Sequence, residues 1–150
     1  LIDRIQDRWG RTVWRHDARE CANCKADAPA EEPDLPDARK QIIDPHTAYQ
    51  MTAVMEGVVQ RGTGTRVKEI LPNVPVAGKT GTAQIATEDG YSESKFVASF
   101  MGIAPAQNPA VAISVIVNQP QNGYYGGEVA APAFGELASF VLPYLGVPTE

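Results

Sequence analysis

The sequence is short of the features that mark several broad classes of protein. Lys and Arg total 13 against 18 Asp and Glu, giving a net charge of -5 and a pI near 5.0. Without a basic excess there is no patch to neutralise phosphates, which argues against a nucleic-acid partner. No apolar run approaches the ~20 residues that a membrane-spanning helix requires. There is no internal repeat and no N-terminal targeting segment. The chain opens Leu1-Ile2-Asp3-Arg4, without Met and already inside an alternating pattern. It reads as a piece of a longer protein, so missing targeting signals say little about location. Histidine and cysteine are scarce, at two each. A zinc site needs about four ligands. This chain supplies the pair in Cys21-Ala22-Asn23-Cys24 plus His16 and His46. A redox pair would sit at a strand-to-helix turn, whereas this one precedes a loop of Ala, Pro and acids. It reads as a solvent-side pair open to a disulfide, with metal or redox chemistry as alternatives. No metal and no cofactor is expected.

What is present fits one globular domain: 150 residues, 43% hydrophobic and 21% charged. Residues 1–17 suggest a hairpin turning near Trp9-Gly10, with Trp9 and Trp14 read as packed against the body of the domain and a ligand platform as the alternative. Residues 18–41, with Pro29, Pro33, Pro36 and flanking acids, read as a surface loop. Asp44-Pro45 opens a helix over 44–64, with Asp44 as N-cap and Pro45 at the first helical position. Ala48, Met51, Met55, Val58 and Val59 form its apolar stripe, and both methionines read as core. Gly62 and Gly64 end it. Residues 74–84 predict a strand. Residues 96–104 and 111–118 predict two more, joined by Pro105-Ala106-Gln107-Asn108-Pro109. Short links favour an antiparallel meander. Gly126-Gly127 then leads into an apolar helix over 128–142 that covers one sheet face. The fold class is α+β: an antiparallel sheet of three to five strands, one long helix and a closing helix.

One segment carries chemistry. Lys79-Thr80-Gly81, continued by Thr82, follows an apolar run and precedes two strands. Random order of this composition gives roughly 0.03 such triplets, so its position on a sheet strand is informative. Serine acyl-transfer chemistry uses these residue types for physical reasons. An ammonium supplies positive potential and tunes neighbouring proton transfers. Threonine hydroxyls donate to a carboxylate. Glycine lets a substrate lie flush on the strand. A backbone N–H beside it can meet the developing oxyanion. The competing reading is an edge strand with a solvated lysine.

The stretch AGKTGTAQ resembles the third active-site motif of penicillin-binding proteins and serine β-lactamases. DPHTAYQMTAVMEGVVQRGTG is similar to the helix before that motif. KFVASFMGIAPAQNPAVAISVIVNQP is similar to the two strands after it, and YYGGEVAAPAFGELASFVLPYLG to the closing helix of the transpeptidase domain. Residues 1–78 resemble the class A, bifunctional enzymes; from Lys79 onward the character is class B. Such a change at the shared motif is what a recombined sequence would show. The resemblance implies a partial D,D-transpeptidase domain. In it Lys79 meets the other catalytic groups, Thr80 and Thr82 bind the carboxylate of a D-Ala-D-Ala stem peptide or β-lactam, and the Thr82 N–H completes the oxyanion hole. Tyr124 and Tyr125, with Gly126 and Gly127, either line a groove beside the site or form a turn of packed aromatics. The implied parent is anchored in the bacterial inner membrane with this domain in the periplasm.

Two of the family's three motifs are missing. No SxN occurs. The one SxxK string, Ser92-Glu93-Ser94-Lys95, follows the KTG motif instead of preceding it. Ser92 and Lys95 therefore read as loop residues in the link before strand 96–104. The chain alone is expected to be inactive and to need the remainder of its domain as partner. The rival reading is a noncatalytic α/β interaction module, and a zinc-binding module is more distant.

Overall fold

The computed structural model describes residues 4–6, 8–9, 11–15, 40–88 and 90–149. The chain divides into two units, Leu1–Gln41 and Ile42–Glu150. In the first, β1 (Arg4–Gln6) and β2 (Thr12–Arg15) pair antiparallel, with Ile5 opposite Trp14. Trp9, expected to be packed, is 72% exposed. Its ring instead carries the guanidinium groups of Arg8 and Arg11, 5.3 and 6.0 Å from the centroid. A cation over an aromatic face is an attraction available in water, so the indole can stay at the surface. Cys21, Cys24, His16 and most of the proline-rich stretch lie outside the described residues.

In the second unit, helix α1 (Pro45–Arg61) begins as its sequence dictates. Asp44 Oδ1 accepts from the N–H groups of His46 and Thr47 at 3.0 and 3.2 Å. That covers two amides a helix start leaves unpaired. The helix stops at Gly62. The N–H groups of Gly62 and Gly64 both return to the Val58 carbonyl, at 3.2 and 2.9 Å. A second helix, α2 (Arg66–Ile70), follows and was not anticipated. Five residues carry too little periodicity to be recognised, yet Val67 is fully buried. The methionine expectation fails for Met51, which is 54% exposed. Val59 is the buried residue of α1. The stripe has helical spacing, but the first turns of α1 have no layer over them among the described residues.

Strands β3 (Ala77–Thr87), β4 (Gly90–Ala104) and β5 (Val111–Asn118) form an antiparallel sheet in that order. Strand β4 begins earlier than its apolar pattern suggested. Ala86 pairs Tyr91 and Gln84 pairs Phe96, so Ser92–Lys95 lie opposite Ile85 alone. They form an irregular, bulged segment inside β4 rather than a link before it. Past the sheet body the two strands continue as a ribbon held by backbone bonds, where no apolar face is needed.

Helix α3 (Gly126–Tyr144) covers one sheet face. Ala130, Phe134, Ala138 and Leu142 fall four residues apart on one row, and all are fully buried. Phe134 meets Phe100 of β4 edge-on, at 4.9 Å and 62°. Along β5 the alternation is regular, with Val111, Ile113, Val115 and Val117 packed against this core. The opposite sheet face is open: Met101 is exposed and Ile116 is 68% exposed. A cleft of about 280 Å³ lies there, lined by Met55, Met101, Ile103 and Ala112 among others.

Candidate functional site

The position of β3 defines the site. Among the described residues it has a hydrogen-bonded neighbour on one side only, β4. Which backbone groups face its free edge follows from alternation. The Phe96 carbonyl accepts from Gln119 N–H on the β5 side, at 2.9 Å. Val97, Ser99 and Met101 therefore direct their backbone groups to β3, where their partners are Ala83, Gly81 and Lys79. Thr80 and Thr82 lie between those positions, so their N–H and C=O groups point to the free edge. The Lys79 ammonium sits at the same edge and donates to the Thr80 carbonyl at 2.6 Å. Lys79 is exposed, as is Thr82, while Thr80 is half-buried.

Side chains follow the same alternation. Thr80 pairs Phe100 and Thr82 pairs Ala98, so both threonines stand on the face covered by α3. There Thr82 Oγ1 accepts the Gly126 N–H at 3.1 Å, at the first turn of α3. Thr80 Oγ1 lies 2.7 Å from Thr63 Oγ1, beyond the end of α1. The sequence reading missed Thr63. Its one local signal is its place between Gly62 and Gly64, where a hydroxyl has no helix to cap.

Gly81 admits close approach: a Cβ there would meet Ser99 Oγ at 2.5 Å. Gly126 and Gly127 are tighter. A Cβ on Gly126 would overlap the carbonyls of Ser99 and Gly81, and one on Gly127 the carbonyl of Thr63. The two glycines let α3 start directly on the KTG strand and the end of α1.

Tyr124 stacks on Phe96 of β4 (4.5 Å, 20°) and contacts Tyr125 (4.3 Å, 39°), with the two hydroxyls 3.1 Å apart. Both rings keep exposed surface. The Tyr124 hydroxyl is held above its ordinary pKa of 10.0, chiefly by the hydrogen bond to Tyr125, then by the Tyr125 charge, desolvation and Glu128. The bonded neutral phenol is favoured over the phenolate, so this contribution is present below pH 10 and is lost as pH rises through the raised value. In a phenolate absorbance titration Tyr124 is expected to ionise late. Tyr125→Phe is expected to bring that ionisation down towards 10.0.

Ser92 and Lys95 stand apart from this arrangement. Ser92 Oγ accepts the backbone N–H groups of Ser94 and Lys95 at 3.3 and 3.0 Å, closing the bulge. Lys95 is exposed. Among the described residues no group of three or more His, Cys, Asp or Glu could hold a metal ion. No helix among them is long and apolar enough to cross a membrane.

The edge strand bearing Lys79, Thr80, Gly81 and Thr82 thus has α3 seated on its inner face. Residues 16–139 match the family model described as the penicillin binding protein transpeptidase domain, and the chain belongs to that family. Over 113 residues it is 41% identical to a probable peptidoglycan D,D-transpeptidase, PenA, of Neisseria flavescens, covering 74% of this chain and 28% of the relative. Its fold is similar to the transpeptidase domain of penicillin-binding protein 3 from Burkholderia pseudomallei (TM-score 0.65, 33% identity, 83% of this chain and 37% of that one). It is also similar to penicillin-binding protein 3 of Mycobacterium tuberculosis in complex with ampicillin (TM-score 0.61, 29% identity, 83% and 28% covered). The chain thus spans well under half of each relative, and its architecture is part of the transpeptidase fold.

Proposed function

We propose that this chain is the substrate-binding wall of a peptidoglycan D,D-transpeptidase and is catalytically incomplete by itself. The observation that carries the reading is the free edge of β3, where the backbone groups of Thr80 and Thr82 lie beside the Lys79 ammonium. An extended stem peptide ending in D-Ala-D-Ala, or a β-lactam, can align on such an edge as an added strand. Lys79 supplies positive potential. The Thr80 and Thr82 hydroxyls meet the terminal carboxylate, and the Thr82 N–H faces the oxygen that becomes negative. Tyr124 and Tyr125 form the aromatic end of the groove, joined to the strand through the Gly126–Thr82 bond.

In the parent reaction a serine attacks the penultimate D-alanyl carbonyl. The terminal D-alanine leaves as its amide nitrogen takes a proton, and a neighbouring stem amine resolves the acyl-enzyme. Among the described residues the one SxxK serine, Ser92, accepts the Lys95 N–H and closes a bulge in β4, which speaks against its being that nucleophile. The nucleophile belongs to the missing remainder of the domain. The open sheet face with Met101 and Ile116, and the cleft beside Met55, are the surfaces that remainder covers. In the parent this domain lies in the periplasm, tethered to the inner membrane. The reaction as a whole calls for no cofactor.

Titrating the chain with a diacetyl-L-Lys-D-Ala-D-Ala peptide tests the reading. Weak binding is expected, and Lys79→Ala is expected to reduce it at least ~10-fold, the size of one lost charge-assisted contact. Equal binding by both proteins would favour an interaction module that uses the strand only as scaffold.

A further inference from the structure

We infer that Thr63 is a positioning residue that sets the direction of the Thr80 hydroxyl proton. The inference rests on the reading that β3 binds a substrate carboxylate. Each threonine hydroxyl has one proton to donate and two lone pairs to accept with. In the 2.7 Å contact between Thr63 Oγ1 and Thr80 Oγ1 only one of them can be the donor. If Thr80 donates to Thr63, it presents lone pairs outward, and a carboxylate is repelled. If Thr63 donates to Thr80, the Thr80 proton is free for the carboxylate. The sequence Thr63 O–H to Thr80 O–H to carboxylate is the order an anion favours, and successive hydroxyl bonds polarise one another in that direction.

Thr63 is well placed to hold this contact. Its backbone is fixed from two sides. The Val58 carbonyl takes the N–H groups of Gly62 and Gly64 on either side of it. Its own carbonyl is packed against Gly127 with no room for a Cβ. Its β-branched side chain has few χ1 choices. The end of α1, the KTG strand and the start of α3 therefore meet at this residue. Thr82 needs no equivalent partner: its Oγ1 accepts the Gly126 N–H and so keeps its own proton to donate.

The test compares the 150-residue chain with Thr63→Val, Thr63→Ala and Thr63→Ser. Three-bond couplings to the labelled Thr80 methyl report its χ1 rotamer without ligand. Dissociation constants for the D-Ala-D-Ala peptide and for its C-terminal amide report carboxylate preference. In the wild type and Thr63→Ser we expect one Thr80 rotamer and a preference for the free acid. In Thr63→Val and Thr63→Ala we expect averaged rotamers and about fivefold loss of that preference, the order of one hydrogen bond, with amide binding unchanged. A single Thr80 rotamer and intact preference in both hydroxyl-free variants would overturn the inference. A wild type that binds acid and amide equally would instead overturn the carboxylate reading of β3. The rotamer comparison would then decide by itself whether Thr63 positions Thr80.

Discussion

Gly127→Ala is expected to destabilise the 42–150 unit by about 3 kcal/mol or more, while Gly57→Ala is expected to stabilise it by up to ~1 kcal/mol. The substitution is the same, and the surroundings reverse its sign. At Gly127 the added methyl would overlap the Thr63 carbonyl, which is backbone. That carbonyl cannot rotate away, because Gly62 and Gly64 hold the loop against Val58. Relief requires α3 to lift from β3, which weakens the Gly126–Thr82 bond and the packing behind it. At Gly57 the nearest atom is the Arg61 guanidinium, 3.2 Å away at the end of a flexible side chain. That group can move, and alanine in a helix then gains its ordinary advantage over glycine. Urea unfolding of both variants gives the comparison, since midpoints shift in opposite directions at constant slope. Equal shifts would mean that the first turn of α3 is not pressed on the end of α1.

Phe134→Ala is expected to be at least as damaging, at about 3–5 kcal/mol. Phe134 is fully buried and is the partner of Phe100 across the α3–β4 contact. Its ring occupies the space left by Gly102, where a Cβ would sit 3.0 Å from it. Truncation leaves a cavity between a strand backbone and a helix, and neither collapses easily. A small unit has roughly 5–15 kcal/mol in all, so this one residue accounts for a large share. Thermal unfolding should show a fall of about 12 °C or more. Leu137→Ala, on the exposed side of the same helix, should change little.

The contrast between these positions shows what was legible in the sequence. The start of α1 was readable because Asp44 and Pro45 act within a few residues. Strand β5 was readable because its alternation is regular over Val111–Asn118. The KTG strand was readable as a motif, and Lys79, Thr80, Gly81 and Thr82 all lie on one edge strand. Other features depend on distant partners. The exposure of Met51 reflects a layer that does not cover the first turns of α1. The early start of β4 comes from backbone pairing of polar residues, which leaves no apolar signature. Helix α3 begins at Gly126 rather than at residue 128, because close approach to β3 outweighs the poor helix propensity of glycine. Thr63 acts on Thr80 across 17 residues, a relation that local pattern does not contain.

The most direct test of the account is labelling of the purified, folded chain with a fluorescent penicillin, beside a full-length penicillin-binding protein as positive control and Ser92→Ala as variant. The account predicts a covalent band for the control and none for this chain, because under the proposed function β3 supplies the carboxylate-binding wall and the nucleophile comes from the remainder of the parent domain. A stoichiometric band from this chain that disappears in Ser92→Ala would contradict it.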